Sequence, residues 1–323
     1  MAVVVIGGAG FIGSNLVDEL MVQGFHVTVL DNLLDGKLEN LSRWKGNDRL
    51  EFVRGDIRDR DLVRRVCDHK DWVFHLAAMA RIQPSITDPH FALENNIMGT
   101  VNVLEACREG GVKRVVYSAS SSVTGDHGSI SASAGKPVPE YCPEDLKSPY
   151  ALSKFFGEQL IDLYHRLYGM SACSLRYFNA YGPRHQESGS YATVVALFRK
   201  QAREGKALTV VGDGTQRRDF TFVGDVVRAN MLAAMNYAAI GTYNIGTGKN
   251  YSILEVAGLV APKHPIEHVP VRQGEYQATL ADNTKARDIL GWKPEIDFPT
   301  GLYVTDKYEQ MNAPKSPIIL LSR

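Results

Sequence analysis

Short apolar runs alternate with segments of helical periodicity over the first 120 residues of the chain. Apolar runs bounded by turn residues are typical of buried strands, whereas apolar positions spaced three and four apart indicate helices. Strands that alternate with helices predict βαβ units, a parallel sheet and right-handed crossovers. The predicted strands are Val3–Ile6, His26–Leu30, Leu50–Val53, Trp72–His75 and Arg114–Tyr117, and the predicted helices are Phe11–Val22, Asp61–Cys67 and Ala92–Arg108.

The pattern changes after the fifth strand. Residues 118–148 are rich in Ser, Gly and Pro and have little periodicity, which predicts a loop over the carboxyl edge of the sheet, where open α/β sheets bind ligands. A helix is predicted from Pro149 to about Tyr168, with proline in its first turn, and a sixth strand at Ala172–Tyr177. The shorter elements beyond residue 180 indicate a smaller domain, with helices at Thr193–Glu204, Asp225–Met235 and Ile253–Val260 and strands at Leu208–Val211 and Thr242–Ile245.

Composition narrows the class of protein. The 323 residues, 44% of them hydrophobic, suffice for about two domains, and the 36 basic and 36 acidic residues cancel, which disfavours nucleic-acid and membrane-surface partners. Cys67, Cys107, Cys142 and Cys173 lie far apart and predict neither a disulfide framework nor a zinc site, so no metal is expected. Met1 leads directly into the first strand without a signal sequence, and no apolar stretch is long enough to span a bilayer. We therefore expect a cytoplasmic protein.

The segment Gly7–Gly13, Gly-Gly-Ala-Gly-Phe-Ile-Gly, predicts a dinucleotide site between the first strand and the first helix. Its glycines allow a tight turn and a close approach to a pyrophosphate, whose charge the helix N-terminus favours. Asp31 ends the second strand, where a carboxylate accepts a hydrogen bond from a ribose 2′-hydroxyl and repels a 2′-phosphate, so NAD is favoured over NADP. Asp56 and Ile57 follow the third strand and are placed to flank the adenine. A glycine-rich turn that only packs a helix on a sheet is the alternative.

Tyr150 and Lys154 form a candidate catalytic pair. They lie four residues apart on a predicted helix and therefore share a face. A tyrosine of pKa about 10 is a poor base at neutral pH, but an ammonium at about 4 Å favours the phenolate by on the order of 4 kcal/mol at most, for an effective dielectric constant near 20. The alternative is a surface pair without function. Ser120 adds a hydroxyl at the sheet edge, unless it only caps its own backbone.

Together these motifs resemble the extended short-chain dehydrogenase/reductase family, most closely its NAD-dependent UDP-sugar 4-epimerases of the UDP-galactose and UDP-N-acetylglucosamine 4-epimerase type. The resemblance covers roughly residues 1–300. It also rests on the segment Arg176-Tyr177-Phe178-Asn179, the segment Gly212–Phe220 and the segment Arg272-Gln273-Gly274-Glu275.

The fold that this resemblance implies is α/β, a doubly wound parallel (Rossmann) sheet with a smaller α+β substrate-binding domain. We expect residues 1–178 to form the NAD-binding domain, including the helix of Tyr150 and Lys154. Residues 179–311 are expected to form mainly the substrate-binding domain, with some segments returning to the first domain. Residues 312–323 are expected to form a poorly ordered tail.

The resemblance also implies a role for each matching residue. Tyr150 would be the acid/base on the 4-hydroxyl, Lys154 would hold the nicotinamide ribose and tune Tyr150, and Ser120 would hydrogen-bond the reacting oxygen. The positions that match NAD contacts are Gly7, Gly10, Phe11, Ile12, Gly13, Asp31, Asn32, Asp56, Ile57, Leu76, Ala77, Ala78, Asn96, Ser118, Tyr150, Lys154 and Phe178. The positions that match UDP-sugar contacts are Ser120, Tyr150, Asn179, Arg218, Arg272 and Thr279, where guanidinium forks suit phosphate oxygens.

The activity implied by the resemblance is C4 epimerisation of a UDP-hexose. Hydride moves from sugar C4 to NAD, and the transient 4-keto sugar turns and takes it back on its other face. Thr279 replaces a tyrosine that narrows the sugar pocket of some epimerases, so UDP-GlcNAc and UDP-GalNAc are expected substrates beside UDP-glucose and UDP-galactose. The alternative is that Thr279 is simply a strand residue near the pocket.

Other chemistries on this scaffold stay open. Ser121 and Ser122 replace the Asp-Glu pair of sugar 4,6-dehydratases, which disfavours dehydration. A UDP-glucuronate 4-epimerase, a dehydratase and a 4-keto reductase remain alternatives. The resemblance further implies a homodimer through the helices around Ala92–Arg108 and Pro149–Tyr168, although their apolar positions are also compatible with the intrachain core.

Overall fold

The structure, a computed structural model, describes residues 1–126, 136–187 and 192–312. Its strands are β1 (Ala2–Ile6), β2 (His26–Asp31), β3 (Leu50–Arg54), β4 (Trp72–His75), β5 (Arg114–Ser120), β6 (Ala172–Tyr177), β7 (Leu208–Val211), β8 (Arg217–Asp219), β9 (Gly241–Ile245), β10 (Asn250–Ser252) and β11 (Ile266–Val269). Within the described ranges, seven of them form one parallel sheet in the spatial order β3-β2-β1-β4-β5-β6-β9. This sheet confirms the predicted α/β class.

The helices cover both faces of the sheet. They are α1 (Phe11–Val22), α2 (Arg60–Cys67), α3 (Ile82–Thr87), α4 (Pro89–Leu93), α5 (Gly99–Glu109), α6 (Pro149–Tyr168), α7 (Val194–Arg203), α8 (Val223–Met235), α9 (Ile253–Val260), α10 (Thr284–Leu290) and α11 (Phe298–Asn312). Side chains of α1, α8 and α10 pack in the core on one face, and those of α2, α5 and α6 in the core on the other. The sheet is therefore doubly wound, as expected.

The residues of β1 show why its strand is apolar throughout. Val3 and Val5 belong to the core on one face, while Val4 and Ile6 belong to the core on the other. A strand covered on both faces loses the alternation of apolar and polar residues. Strand β1 pairs with β2 on one side and with β4 on the other, so the strand order reverses there and opens a crevice at the carboxyl ends.

The seventh strand of the sheet differs from the expectation. Thr242–Ile245 was assigned to the smaller domain, but β9 pairs with β6, with Leu175 beside Tyr243. Tyr243 and Ile245 are buried in the core of the sheet. A short apolar run does not encode which sheet it joins. Strand β9 is thus one of the segments that return from the second half of the chain.

The helix predicted over Ala92–Arg108 is interrupted. A π-helical turn over Glu94–Met98 lies between α4 and α5. Here the buried Asn96 donates to the Met79 carbonyl oxygen at 3.0 Å and accepts from the Met79 amide at 2.7 Å. These bonds tie the turn to the loop after β4. Apolar periodicity does not record such side-chain bonds.

Helix α6 has the start and stop signals that the sequence indicates. The Ser148 hydroxyl accepts from the Ala151 amide at 3.2 Å, and Pro149 occupies the first turn. The helix ends at Gly169, whose φ of 66° places it in the left-handed region that terminates helices. The long helix predicted from Pro149 to about Tyr168 is confirmed.

The second half of the chain adds a smaller unit. Strand β7 pairs in parallel with β11, and β8 pairs antiparallel with β10. Its core contains a stacked pair of rings, Phe220 and Phe298, with centroids 4.8 Å apart. The chain also returns to the sheet, because the Trp292 indole donates to the Asp225 carbonyl oxygen in α8 at 2.9 Å.

The tail is expected over residues 312–323. Of these, Asn312 is the last residue of α11, and residues 313–323 lie outside the described part of the chain, so the tail stays a prediction. In the ranges that the structure describes, there is no helix of the length and apolar character needed to cross a bilayer. The four cysteines, all of them in those ranges, are free thiols, as expected.

Gly13 provides a test of the first turn of α1. A Cβ atom there would lie 2.1 Å from the Gly7 carbonyl oxygen, so Gly13→Ala must displace α1 from β1. We expect it to lower the free energy of unfolding by about 2 kcal/mol or more in urea titrations. Gly258→Ala, in α9 with no heavy atom near the added Cβ, is the matched control and should raise it by about 0.5–1 kcal/mol. Equal effects of the two substitutions would contradict this account of the turn.

Candidate active site

A cavity of about 520 Å³ lies at the carboxyl ends of the central strands. Its wall includes residues that directly follow β1 and β4, the last residues of β2 and β5, and residues of the smaller unit on the opposite side. Most of the predicted site residues line it: Gly7, Gly10, Phe11, Ile12, Gly13, Asp31, Asn32, Ile57, Leu76, Ala77, Ala78, Ser118, Ser120, Tyr150, Lys154, Asn179, Arg218, Arg272 and Thr279.

Three predicted cofactor contacts, Asp56, Asn96 and Phe178, are not among the residues that line the cavity. Asp56 accepts from the side chain of Asn32 at 2.9 Å and pairs with Arg58, which holds the pKa of its carboxyl at about 2. The side-chain amide of Asn96 bonds Met79, and Phe178 is fully buried. Asp56 thus holds a lining residue, Asn32, and the NAD contacts that the resemblance implies for the three residues stay a prediction.

The residues next to two of these positions form the wall instead. Asn95 lines the cavity beside Asn96, and Tyr177 and Asn179 line it on either side of Phe178. The side chain of Asn95 donates to the Asn96 amide oxygen at 3.0 Å. The local backbone of the π turn and of the end of β6 determines which of two neighbouring residues faces the cavity. The sequence motif does not contain this information.

The turn after β1 leaves room for a phosphate group. Gly7 has a φ of +83°, and a Cβ atom there would lie 2.7 Å from the amide nitrogen of Ala77. Only glycine fits such a conformation and such a close approach of backbones. The turn leads straight into the N-terminus of α1, whose unpaired N–H groups favour an anion. This cradle fits a dinucleotide pyrophosphate.

Asp31 gives the cradle its preference among dinucleotides. Its carboxylate is only 8% exposed and accepts from the amides of Ala9, at 3.0 Å, and Leu33, at 2.8 Å. Burial raises its pKa, and the two amide bonds act in the opposite direction. A carboxylate held in this way is an acceptor for a ribose hydroxyl and repels a phosphate. The residues present therefore fit NAD.

Lys154 is buried at the end of the cavity nearest β5. It is 3% exposed, donates from Nζ to the Ser118 carbonyl oxygen at 2.7 Å and lies 4.9 Å from the centroid of the Tyr117 ring. Burial lowers the pKa of its ammonium to about 7, and the charge of Glu158 opposes this shift. The lysine is therefore close to its titration point at neutral pH.

The pKa of Tyr150 differs from the expectation. Burial raises it, and the groups that lower it are the Ser120 hydroxyl, by a hydrogen bond, and Arg81, by its charge. The spacing on the helix predicts this role for Lys154. Its ammonium donates to the Ser118 carbonyl oxygen, and burial lowers its pKa.

Ser120 caps its own backbone, and its role towards a substrate stays a prediction. Its oxygen accepts from the Ser122 amide at 3.2 Å and from the Ser122 hydroxyl at 3.0 Å, so it caps its own backbone. Its own hydroxyl hydrogen is then available to Tyr150, with which it forms a hydrogen bond. The Tyr150 amide in turn donates to the Ser85 hydroxyl of α3 at 3.1 Å.

Two arginines of the second half of the chain also line the cavity. Arg218 is 9% exposed, with Nη2 3.4 Å from Glu275, whereas Arg272 is exposed at the mouth. Asn179 donates from its side chain to the Asp219 carbonyl oxygen at 2.9 Å and to the Thr279 hydroxyl at 3.0 Å. Thr279 is 4% exposed, so its hydrogen bond with Asn179 is buried in the wall of the cavity.

Asp219 is a buried carboxylate for which the sequence predicts no role. It accepts from the amides of Thr247, Gly248 and Ala281 and from the Thr247 hydroxyl, at 2.6–3.1 Å. Burial raises its pKa to about 6. It joins β8 to the two segments that surround Arg218. The sequence signal that could have identified Asp219 is its position next to Arg218 in the segment Gly212–Phe220.

Arg81 and Tyr276 also line the cavity and were not predicted. Tyr276 is 5% exposed and donates from its hydroxyl to the Ser122 carbonyl oxygen at 3.0 Å. Arg81 precedes α3 and acts on Tyr150. Neither stands in a recognisable pattern, so no sequence signal identifies them.

Comparisons with known proteins agree with this geometry. Residues 3–246 match the model of the NAD dependent epimerase/dehydratase family. The UDP-glucose 4-epimerase of Mycolicibacterium smegmatis is 38% identical over 95% of this chain and 98% of its own length, and the UDP-glucuronate 4-epimerase of Thermodesulfobacterium geofontis is 33% identical over 95% and 96%.

A solved structure is similar over nearly the whole fold. The UDP-N-acetylglucosamine 4-epimerase of Methanobrevibacter ruminantium, in complex with UDP-N-acetylmuramic acid, superimposes with a TM-score of 0.89 at 33% identity, covering 96% of this chain and 98% of that one. Fold, cradle and these similarities together identify the chain as a member of the NAD-dependent epimerase/dehydratase family, with NAD as its cofactor.

Proposed function

We propose that this protein is a UDP-sugar 4-epimerase that acts on UDP-hexoses. The observation that carries the proposal is one cavity that is lined both by Tyr150, Ser120 and Lys154 and by two arginines, Arg218 and Arg272. Guanidinium groups bind diphosphates, and a sugar linked to the diphosphate would then extend towards Tyr150. Two relatives of this chain are named as epimerases of UDP-linked sugars.

Tyr150 and Ser120 would move and hold the proton of the sugar 4-hydroxyl. Tyr150 takes this proton while C4 is oxidised and returns it to the new hydroxyl after the keto sugar has turned. Ser120 holds the reacting oxygen, since it already hydrogen-bonds the Tyr150 hydroxyl. Bound NAD supplies the acceptor that takes hydride from C4 and gives it back. Lys154 and the glycine turn hold its ribose and pyrophosphate.

The three arginines in the cavity wall are proposed to have different roles. Arg218 and Arg272 neutralise the diphosphate, whereas Arg81 opposes the effect of burial on the pKa of Tyr150. Ser121 and Ser122 follow Ser120 and carry no carboxylate, which supports epimerisation over dehydration. UDP-glucuronate is a second candidate substrate, because the cation of Arg81 in the cavity wall suits a C6 carboxylate.

The proposed reaction is tested with the purified protein, without added cofactor, on UDP-galactose, UDP-GalNAc and UDP-glucuronate, with products followed by NMR. We expect the C4 epimer of at least one sugar. The Tyr150→Phe variant should still bind NAD, but its rate should fall by at least about 100-fold. The relative rates select the sugar. Absence of any C4 epimer, also after addition of NAD, would exclude the proposed reaction for these substrates.

Thr279 is proposed to admit a 2-acetamido group. Thr279→Tyr should lower kcat/KM for UDP-GalNAc at least about tenfold relative to that for UDP-galactose, because the ring fills the wall of the cavity. Thr279→Val removes the hydroxyl that accepts from Asn179 and the Asp219 amide but keeps the size. This control should affect both sugars in the same proportion. An equal loss on both sugars in the tyrosine variant would refute the role.

A homodimer through α5 and α6 is proposed from an exposed apolar stripe. Phe156, Leu163 and Leu167 are 43%, 36% and 61% exposed and lie seven and then four residues apart, hence on one helix face. We expect a dimer by light scattering after size exclusion, and a monomer for the double variant Phe156→Glu/Leu167→Glu. Met235→Glu, at an exposed position on α8, is the control and should stay dimeric. A monomeric wild type would overturn this proposal.

A further inference from the structure

Helix α6 carries a third ionisable residue in register with the proposed catalytic pair. Tyr150, Lys154 and Glu158 lie at successive four-residue steps and so share one face. Lys154 and Glu158 are 3% and 4% exposed. A Cβ atom at Gly157 would lie 2.1 Å from the Tyr117 hydroxyl, so the helix is in direct contact with β5 at this point.

Glu158 is fixed by a two-pronged ion pair with Arg176 of β6. Arg176 donates from Nε and from Nη2 to the two carboxylate oxygens, both at 2.7 Å, and is itself 6% exposed. Bidentate pairs of this kind are the strongest in geometry and energy. A buried carboxylate without such a partner would take up a proton instead.

The rest of the fold fixes Arg176 in turn. Its remaining Nη1 donates to the Glu140 carbonyl oxygen at 3.0 Å, and the Glu140 carboxylate accepts from the Asn244 amide of β9 at 2.8 Å. The Asn244 side chain closes the network on the Val138 carbonyl oxygen at 2.9 Å. Arg176 of β6 is therefore fixed by the segment before α6, which β9 fixes in turn, and it holds the Glu158 carboxylate in place.

The charged groups around Lys154 leave Glu158 as the anion that acts on it. His75 of β4 faces Lys154 but is neutral, because burial lowers its pKa to about 3. Tyr117 of β5 presents its ring, and the Ser118 carbonyl accepts the ammonium proton. The charge of Glu158 raises the pKa of Lys154 against the effect of burial.

Around Glu158 itself, the charges are arranged in alternation. Burial raises the pKa of its carboxyl, the hydrogen bonds and charge of Arg176 and the charge of Lys154 lower it, and the charge of Glu144, in the segment before α6, raises it further. Cys142 of the same segment lies near Arg176 and Glu158 and is uncharged because burial raises the pKa of its thiol. Removing the Glu158 charge would leave two buried cations, Lys154 and Arg176, without an anion between them.

We propose that Glu158, held by Arg176, is a positioning residue that keeps the Lys154 ammonium charged for its contact with the cofactor ribose and its action beside Tyr150. This inference rests on the proposed function for its kinetic readout. Its second readout, the binding of NAD, does not depend on which sugar is turned over. Arg176 acts through Glu158, and neither residue lines the cavity.

The test is the pH profile of epimerisation for Glu158→Gln and for Glu158→Gln/Arg176→Gln. Loss of the anion lowers the pKa of Lys154, so its charge is lost at lower pH and the basic limb of the profile should move down, by about one pH unit or more. The double variant, which removes the opposing cation as well, should move less. Asp162→Asn, in an exposed pair with Arg166 on the same helix, is the control and should not move.

A second measurement follows NAD retention after buffer exchange as a function of pH. The pH at which NAD is released should shift down in the same order among the variants. If Glu158→Gln does not fold, the double variant carries the test, because it removes the Arg176 cation together with the Glu158 anion, and its basic limb and release pH should still lie below those of the wild type. A basic limb and a release pH that match wild type, with only a uniformly lower rate, would assign the pair a structural role and overturn the proposal. If the wild type epimerises no UDP-sugar, the proposed function fails, and the NAD readout alone decides on Glu158.

Discussion

Helix α6 lies against the central sheet along the face that carries Tyr150, Lys154 and Glu158, which buries Lys154 and Glu158 and leaves Tyr150 partly buried in the wall of the cavity. Burial raises the pKa of Tyr150 and lowers that of Lys154, so each group is driven towards its neutral form. The arrangement works only if other charges act against this effect. Arg81 does so for Tyr150, and Glu158 does so for Lys154.

The topology of the sheet places these charges beside a cofactor site. The order of strands reverses between β1 and β4, and both the glycine turn and the end of β5 open into the same crevice. The second half of the chain closes the other side with Arg218 and Thr279, which Asp219 holds in place by four hydrogen bonds to neighbouring segments. One cavity is therefore lined both by the residues proposed to bind the diphosphate and by those proposed to transfer the proton.

The features that local patterns encode were predictable. The first strands, the glycine turn with Asp31, and the helix from Pro149 with Tyr150 and Lys154 each have a signature in adjacent residues. The features that depend on distant parts of the chain were not. Strand β9 joins the main sheet, where Tyr243 is buried in the core. Asn95 and Asn96 both lie in the π turn, and Asn95 is the one that lines the cavity.

Electrostatics was the least predictable part of the site. The four-residue spacing of Tyr150 and Lys154 is visible in the sequence, but the carbonyl of Ser118 that accepts the ammonium proton lies on another element. Arg81 reaches Tyr150 from the loop before α3, which has no pattern of its own. The size and sign of a pKa shift depend on such groups, and spacing along one helix does not reveal them.

The most direct test of the account is the fate of the hydrogen at C4. UDP-galactose that carries deuterium at C4 is incubated with the enzyme, and the product is analysed by NMR and mass spectrometry. Removal and return of the same hydride within one cavity predicts UDP-glucose with deuterium retained at C4. Loss of the deuterium to solvent, or a 4-keto-6-deoxy product that carries it at C6, would contradict the account.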